Sequence, residues 1–340
     1  MKRQATLLAC LAITALVLGA AVQANGQAAF DEIIVFGDSL SDTGNVFISS
    51  GVPPSPPYFD GRFSNGPVTV ERVADRLGLP ALSPSLIGGT NFAWGGAETG
   101  PGFGSIGTPN LGTQIGFFFG EGNTLDGDEL IAVNGGGNDA FSFLMSDGFA
   151  GNDPATAAQN IVSHITTLAL AGGEVFLVQN LAALGQIPLL RGTPLESDAD
   201  DWAMMFNIVL EIQLDDLEDT LQETLGITIT ILQVDTAELF EEILDDPADF
   251  GLTNVTDPAC PPCAELPGGI VPDPDEYLFW DNVHPTAVGH KIIGDVAVEL
   301  VMEEFDIDDD DDDSDSDSDD DSDSDDSSDD DSNSDDDSDG

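Results

Sequence analysis

Ser39 stands in Phe36-Gly37-Asp38-Ser39-Leu40-Ser41-Asp42-Thr43-Gly44-Asn45, directly after the apolar run Ile33-Ile34-Val35-Phe36. That run reads as a fully buried strand, and Gly37 stops it. A hydroxyl at the carboxyl end of such a strand faces the crevice where open α/β sheets bind ligands. To act as a nucleophile it needs a base, an orienter for that base, and donors for the oxyanion that develops. Alone, a Ser beside an Asp after a strand is ordinary cap or turn chemistry. The partners decide between the two readings. Of the 3 histidines, His164 and His290 fall in helical patterns and read as structural or surface groups. His284 lies in the loop Trp280-Asp281-Asn282-Val283-His284-Pro285-Thr286, with Asp281 three residues upstream. On a tight turn Asp281 can accept from one imidazole nitrogen and leave the other to take the Ser39 proton. The alternative is that Asp281 or Thr286 merely caps the following helix. Asn138, in Gly135-Gly136-Gly137-Asn138-Asp139, offers a side-chain amide to an oxyanion, and Gly96 a backbone N–H that no side chain obstructs. Gly-Asn-Asp is also common turn composition. The chemistry these types permit is acyl transfer through a covalent serine intermediate, which calls for no cofactor and no metal ion.

The elements that must carry these residues alternate. After the first strand, 53–66 is a Pro- and Gly-rich loop, and Val70, Val73, Ala74 and Leu77 have helical spacing that ends at Gly78. A second Gly/Pro-rich region, 86–109, contains Asn91-Phe92-Ala93-Trp94-Gly95-Gly96-Ala97. The sequence predicts a helix within 108–119, a buried strand at Leu130-Ile131-Ala132-Val133, a helix over 155–170 and a strand over 174–178. The longest helix is predicted over 200–225, with Met204, Ile208, Ile212, Leu217, Leu221 and Leu225 as its core stripe. A further strand follows at 227–232, and an amphipathic helix over 287–305 closes the folded part. Strands alternating with helices argue for an α/β fold: one parallel sheet covered on both faces, in a single domain over 25–305. Phe117-Phe118-Phe119 is a candidate acyl pocket, with core packing as the alternative.

Taken together, four blocks resemble the GDSL, or SGNH, hydrolase family: Gly37 to Asn45, Asn91 to Ala97, Gly136-Gly137-Asn138-Asp139, and Asp281-Asn282-Val283-His284-Pro285-Thr286. Asn180-Leu181 through Gly185 and Pro188 is similar to a weaker family segment. Order and separation agree over residues 31–305. The resemblance implies a flavodoxin-like, three-layer α/β/α sandwich, the SGNH hydrolase fold. It implies Ser39 as nucleophile, His284 as base and Asp281 as orienter, with an oxyanion hole of the Ser39 N–H, the Gly96 N–H and the Asn138 side chain. Gly95 or Gly96 is the matching glycine, and spacing from Asn91 favours Gly96. The implied activity is hydrolysis of a small-molecule or lipid carboxylic ester, of esterase or lipase type. An acyltransferase or phospholipase would use the same site, since fold does not choose among these. The competing class is a non-catalytic acidic surface or binding protein.

The chain ends differ from this body. Met1-Lys2-Arg3 followed by an almost wholly apolar 7–22 reads as an export signal, cleaved after Val22-Gln23-Ala24 or after Gly26-Gln27-Ala28. The apolar run is short for a full membrane span, so the expectation is a secreted or periplasmic protein with no stable span once residues 1–24 are removed. Residues 306–340 hold 22 Asp among Ser and almost nothing apolar, and read as a disordered, solvating tail. Its carboxylates could hold Ca²⁺ loosely, without EF-hand spacing. The whole chain carries 7 basic against 65 acidic residues, −58. Without the tail and signal it still has 5 against 43, or −38. Such a surface repels phosphate backbones and excludes nucleic acid as a partner. Cys260 and Cys263, in Ala-Cys-Pro-Pro-Cys-Ala, form either a small disulfide loop or two free thiols. No further ligands stand near them for a zinc ion.

Overall fold

Short runs of branched and aromatic residues make the sheet. β1 (Glu32–Phe36), β2 (Glu129–Val133), β3 (Val175–Gln179) and β4 (Thr230–Val234) pair in parallel in the order β1-β2-β3-β4. The register sets Phe36 beside Val133 and Val133 beside Val178. On the free edge of β1, the Val35 N–H donates to Thr90 O and the Phe92 N–H to Val35 O, at 3.1 and 2.8 Å. Residues 90–92 therefore stand where a further strand would, which gives the flavodoxin-like sequence of positions. The computed structural model describes residues 29–307 apart from 105, 147, 149–150, 262 and 264–268. The expected export signal and the acidic tail beyond Ile307 lie outside the described residues.

Successive strand residues point to opposite faces, and the core divides accordingly. Ile34, Phe36, Ile131, Val133, Phe176 and Val178 face one layer; Ile33, Val35, Leu130, Ala132, Val175 and Leu177 face the other. The first layer is built from α3 (Leu111–Gly120), α5 (Pro154–Leu170) and α6 (Glu196–Leu225), the second from α2 (Thr69–Arg76) and α8 (Ala287–Glu304). This is a three-layer α/β/α sandwich. Three further helices stand on its carboxyl side: α1 (Asn45–Ser50), α4 (Gly137–Met145) and α7 (Thr236–Asp245). Each of α4 and α7 starts within four residues of a strand end, β2 and β4 respectively. A two-stranded ribbon, β5 (Asn254–Pro258) with β6 (Tyr277–Phe279), precedes the His284 loop.

The structure corrects the reading of α6. The helix begins at Glu196, and its buried face is Ala199, Trp202, Ala203, Phe206, Leu210, Leu214, Leu217 and Leu221. Of the expected stripe only Leu217 and Leu221 are buried; Met204, Ile208, Ile212 and Leu225 are exposed. Met204, Ile208 and Ile212 each stand two residues before a buried Phe206, Leu210 or Leu214, about 200° away around a helix of 3.6 residues per turn, so that row lies on the side opposite the core. The two aromatics omitted from the stripe decide the phase: Trp202 stacks on Phe206 with ring centroids 5.6 Å apart.

Candidate active site

The candidate residues come from four parts of the chain. Ser39 follows β1 on a turn held by the Ser41 and Asp42 N–H groups donating to Asp38 O at 3.1 and 3.0 Å. Gln114 of α3 clamps the strand end, accepting from the Gly37 N–H and donating to Gly37 O at 3.0 and 2.8 Å. His284 arrives on the loop between β6 and α8. Thr286 is the N-cap of α8, accepting from the Gly289 N–H at 3.1 Å. That leaves Asp281 for His284 rather than for the helix end. Its Oδ1 accepts the Val283 and His284 N–H groups, both at 2.8 Å, which wraps the loop around the carboxylate.

Ser39 Oγ lies 2.9 Å from His284 Nε2, and His284 Nδ1 lies 2.8 Å from Asp281 Oδ2. A continuous hydrogen-bonded path thus runs from hydroxyl to carboxylate. Phe63 packs against the imidazole with ring centroids 5.2 Å apart. Sequence reasoning missed Tyr58, whose Oη donates to Asp281 Oδ2 at 2.7 Å. It sits in the Pro-rich loop 53–66, and nothing in its spacing ties it to a residue 223 positions away. Burial pushes the Asp281 carboxyl up. The His284 charge and the hydrogen bonds it receives outweigh this and hold it down at about 2. Burial pushes the His284 imidazole down, but the Asp281 carboxylate, and then Asp38, lift it above 6.5. Burial also raises Asp38 to about 6, against the Leu40 N–H and the charge of His284.

Ser39, Gly96 and Asn138 carry the three expected oxyanion donors. All of them line one cavity. Among the described residues, neither the Ser39 nor the Gly96 N–H donates to a protein acceptor. Gly96 has φ +79°, a left-handed conformation that favours glycine, and a Cβ there would meet only the end of the exposed Ile106 side chain. Gly95, the other candidate, spends its N–H on Asp42 Oδ2 at 3.0 Å. Asn138, in the first turn of α4, donates to Ala97 O at 3.0 Å, while Asp38 Oδ2 lies 3.4 Å from the same nitrogen. A second buried carboxylate joins the donors' supports. Asp139 accepts from the Thr99 N–H and Thr99 Oγ1, both at 2.9 Å, and from the Asn152 amide. It fastens the loop of Gly96 to the helix of Asn138. His164 joins the same network through Thr99 O at 2.7 Å, and His290 is buried with Nδ1 against Thr69, as structural groups.

Two other expectations resolve here. Phe118 is buried against Phe36 and Phe92, Phe117 is exposed, and neither they nor Phe119 line the cavity at Ser39. The Phe triplet is core and surface, because α3 turns its inner face to the sheet. Cys260 and Cys263 are joined as a disulfide, buried with Ala259 and Trp280. The Cys260 N–H donates to Trp280 O at 2.8 Å, so the bridge braces the residue that precedes Asp281. Among the described residues no group of His, Cys, Asp or Glu is arranged to hold a metal ion, and no helix is long and apolar enough to cross a membrane.

Residues 33–297 match the family model described as GDSL-like lipase/acylhydrolase. The chain is 27% identical to the phosphatidylcholine-sterol acyltransferase of Aeromonas hydrophila, over 83% of this chain and 93% of that protein. It is 27% identical to a GDSL esterase/lipase of Arabidopsis thaliana, over 78% of this chain and 86% of that one. Among solved structures, the native aryl esterase of M. smegmatis aligns with a TM-score of 0.46 at 13% identity, over 80% of this chain and 99% of that chain.

Proposed function

We propose that this chain, which belongs to the GDSL-like lipase/acylhydrolase family and is a carboxylic ester hydrolase, works through an acyl-enzyme on Ser39. His284 Nε2 takes the Ser39 proton as Oγ attacks the ester carbonyl. Asp281 holds the imidazole in the tautomer that leaves Nε2 free and stabilises the imidazolium that forms. The tetrahedral oxyanion is met by the Ser39 and Gly96 N–H groups and the Asn138 amide. His284 then protonates the leaving alcohol. In the second half-reaction it activates a water that releases the acid and returns the proton to Ser39.

The observation that carries this reading is the path from Ser39 Oγ through His284 to Asp281, at 2.9 and 2.8 Å. Its test is burst release of p-nitrophenol from p-nitrophenyl esters over a range of salt, with Ser39→Ala alongside. A burst in the wild type that is absent from the folded variant supports it. An undiminished burst in Ser39→Ala rules it out.

The similarity to an Aeromonas hydrophila acyltransferase supports a second reading at the same site, with an alcohol in place of water as the acceptor. Product analysis in the presence of a competing alcohol separates the two. We further propose that residues 25–305 form the hydrolase domain, that 1–24 direct export to the periplasm or outside, and that 306–340 are a solvating acidic tail. N-terminal sequencing of the exported protein tests the signal, and full activity after removal of 306–340 tests the tail.

A further inference from the structure

The cavity at Ser39 holds about 460 Å³ and changes character along its length. At its mouth stand exposed apolar residues, Val52, Ile106 and Met145. Beyond Asn138 it runs across the ends of β3 and β4 towards α7, lined by Leu239, Phe240, Ile243, Leu278, Phe279 and Ile293. The first five of these are buried in the main hydrophobic core, Ile243 with 2% exposure, although they border empty space. The deep end is therefore walled by apolar core side chains that show little surface to water. Among the described lining residues the only ionisable groups are Asp38 and His284, both at the reacting end.

We infer that this deep end is the acyl-chain pocket of the ester hydrolase, built for neutral esters of medium to long chain. The inference rests on the acyl-enzyme reading above. In that mechanism the alcohol must leave and water must enter, while the acyl group stays on Ser39 through both half-reactions. A buried apolar wall suits the group that stays, and an exposed mouth suits the one that leaves. A methylene needs about the room of a water, ~30 Å³, so the cavity takes a chain on the order of ten carbons after the reacting group and mouth are set aside. A chain ending in a carboxylate would bring an unpaired charge to an apolar floor and is excluded. Each methylene that moves from water into the pocket raises kcat/KM about fourfold.

The test is kcat/KM for p-nitrophenyl acetate, butyrate, octanoate, laurate and palmitate, beside alkyl acetates of growing alcohol length. For the wild type, activity rises from acetate to laurate and stays flat along the alcohol series. In Ile243→Trp, the indole adds roughly 60 Å³ over isoleucine, the room of about two methylenes, and lowers the laurate-to-butyrate ratio about fifteenfold. If that variant does not fold, alkylphosphonofluoridates decide on the wild type. Ser39 Oγ displaces fluoride to form a phosphonyl-serine, and inactivation quickens with the length of the phosphorus-bound chain. An acetate optimum in the wild type, a rise along the alcohol series instead, or an unmoved ratio in folded Ile243→Trp overturns the pocket and leaves the serine mechanism standing. Absence of any Ser39-dependent burst, with every ester, overturns the mechanism and the pocket together.

Discussion

Asn138→Ala separates transition-state work from ground-state support at one position. In the resting site the Asn138 amide makes one bond of ordinary length, to Ala97 O at 3.0 Å. The approach to Asp38 at 3.4 Å is too long to contribute much. Losing the first bond costs about 1 kcal/mol, and Ala returns a few tenths as the better helix former in α4. The melting temperature should fall by no more than about 2–4 °C. Catalysis should suffer far more. An oxyanion donor acts on charge that exists only in the tetrahedral state, and removing one costs about 2.7–4 kcal/mol, or about 10²–10³ in kcat. KM should hardly move, because the neutral ester carbonyl asks little of the donor. Asn138→Asp sharpens the test. Its carboxylate would lie beside Asp38 and repel the oxyanion, so at neutral pH it should be worse than Ala. Steady-state kinetics on p-nitrophenyl butyrate with calorimetry on the same samples measures both quantities. A kcat within threefold of wild type in a folded Asn138→Ala, or an Asp variant as active as the Ala one, would refute the assignment of Asn138 as a donor.

Further outcomes follow from the same geometry. The base must be neutral, so kcat/KM should fall as pH drops through the His284 pKa, which the Asp281 carboxylate lifts above 6.5; an acid limb below 6.5 contradicts this. Tyr58→Phe removes a donor from Asp281 and leaves more charge facing the imidazole. Activity should drop by about 1 kcal/mol, roughly fivefold, with the acid limb moving up; an unmoved limb makes Tyr58 packing only. Asp281 has its folded pKa depressed from 3.8 to about 2, so it contributes about 2 kcal/mol of stability that is present above 3.8 and lost as pH falls through about 2. Asp281→Asn should flatten that part of the stability–pH curve in urea titrations, and should cost less activity than His284→Ala. Asp139→Ala strips Thr99 and Asn152 of their acceptor together and should lower the unfolding free energy by about 2–4 kcal/mol; a loss below about 1 kcal/mol means the Gly96 loop is held by something else.

Much of the sandwich was legible because its signals are local. Ile33 to Phe36, Leu130 to Val133 and Val175 to Val178 are strand-length apolar runs stopped by Gly or polar residues, and the helices between them have caps and periodicity that a reader can count. The residue types of the candidate site were legible for a similar reason: Gly-flanked Ser, Asp-x-x-His and Gly-Asn-Asp each carry their chemistry within a few positions. What was misread needed distance. The face of α6 turns on Trp202 and Phe206 meeting the layer beneath, which leaves Met204, Ile208, Ile212 and Leu225 on the solvent side. The Phe triplet suggested a pocket by composition, yet its place against Phe36 and Phe92 is a matter of how α3 lies on the sheet.

By itself, then, the sequence determined an acidic chain, an alternating α/β order and four short blocks able to support acyl transfer, since charge, period and turn chemistry are properties of neighbours along the chain. Which of these meet depends on how the layers pack. Ser39 and His284 are 245 residues apart and come within 2.9 Å because a parallel sheet sends the carboxyl ends of β1 and β2 to one edge, where the loop before α8 crosses. Tyr58, Asp139 and the apolar cavity that reaches α7 belong to that edge as well. No local pattern announces them, because each is defined by contact across layers that only packing creates.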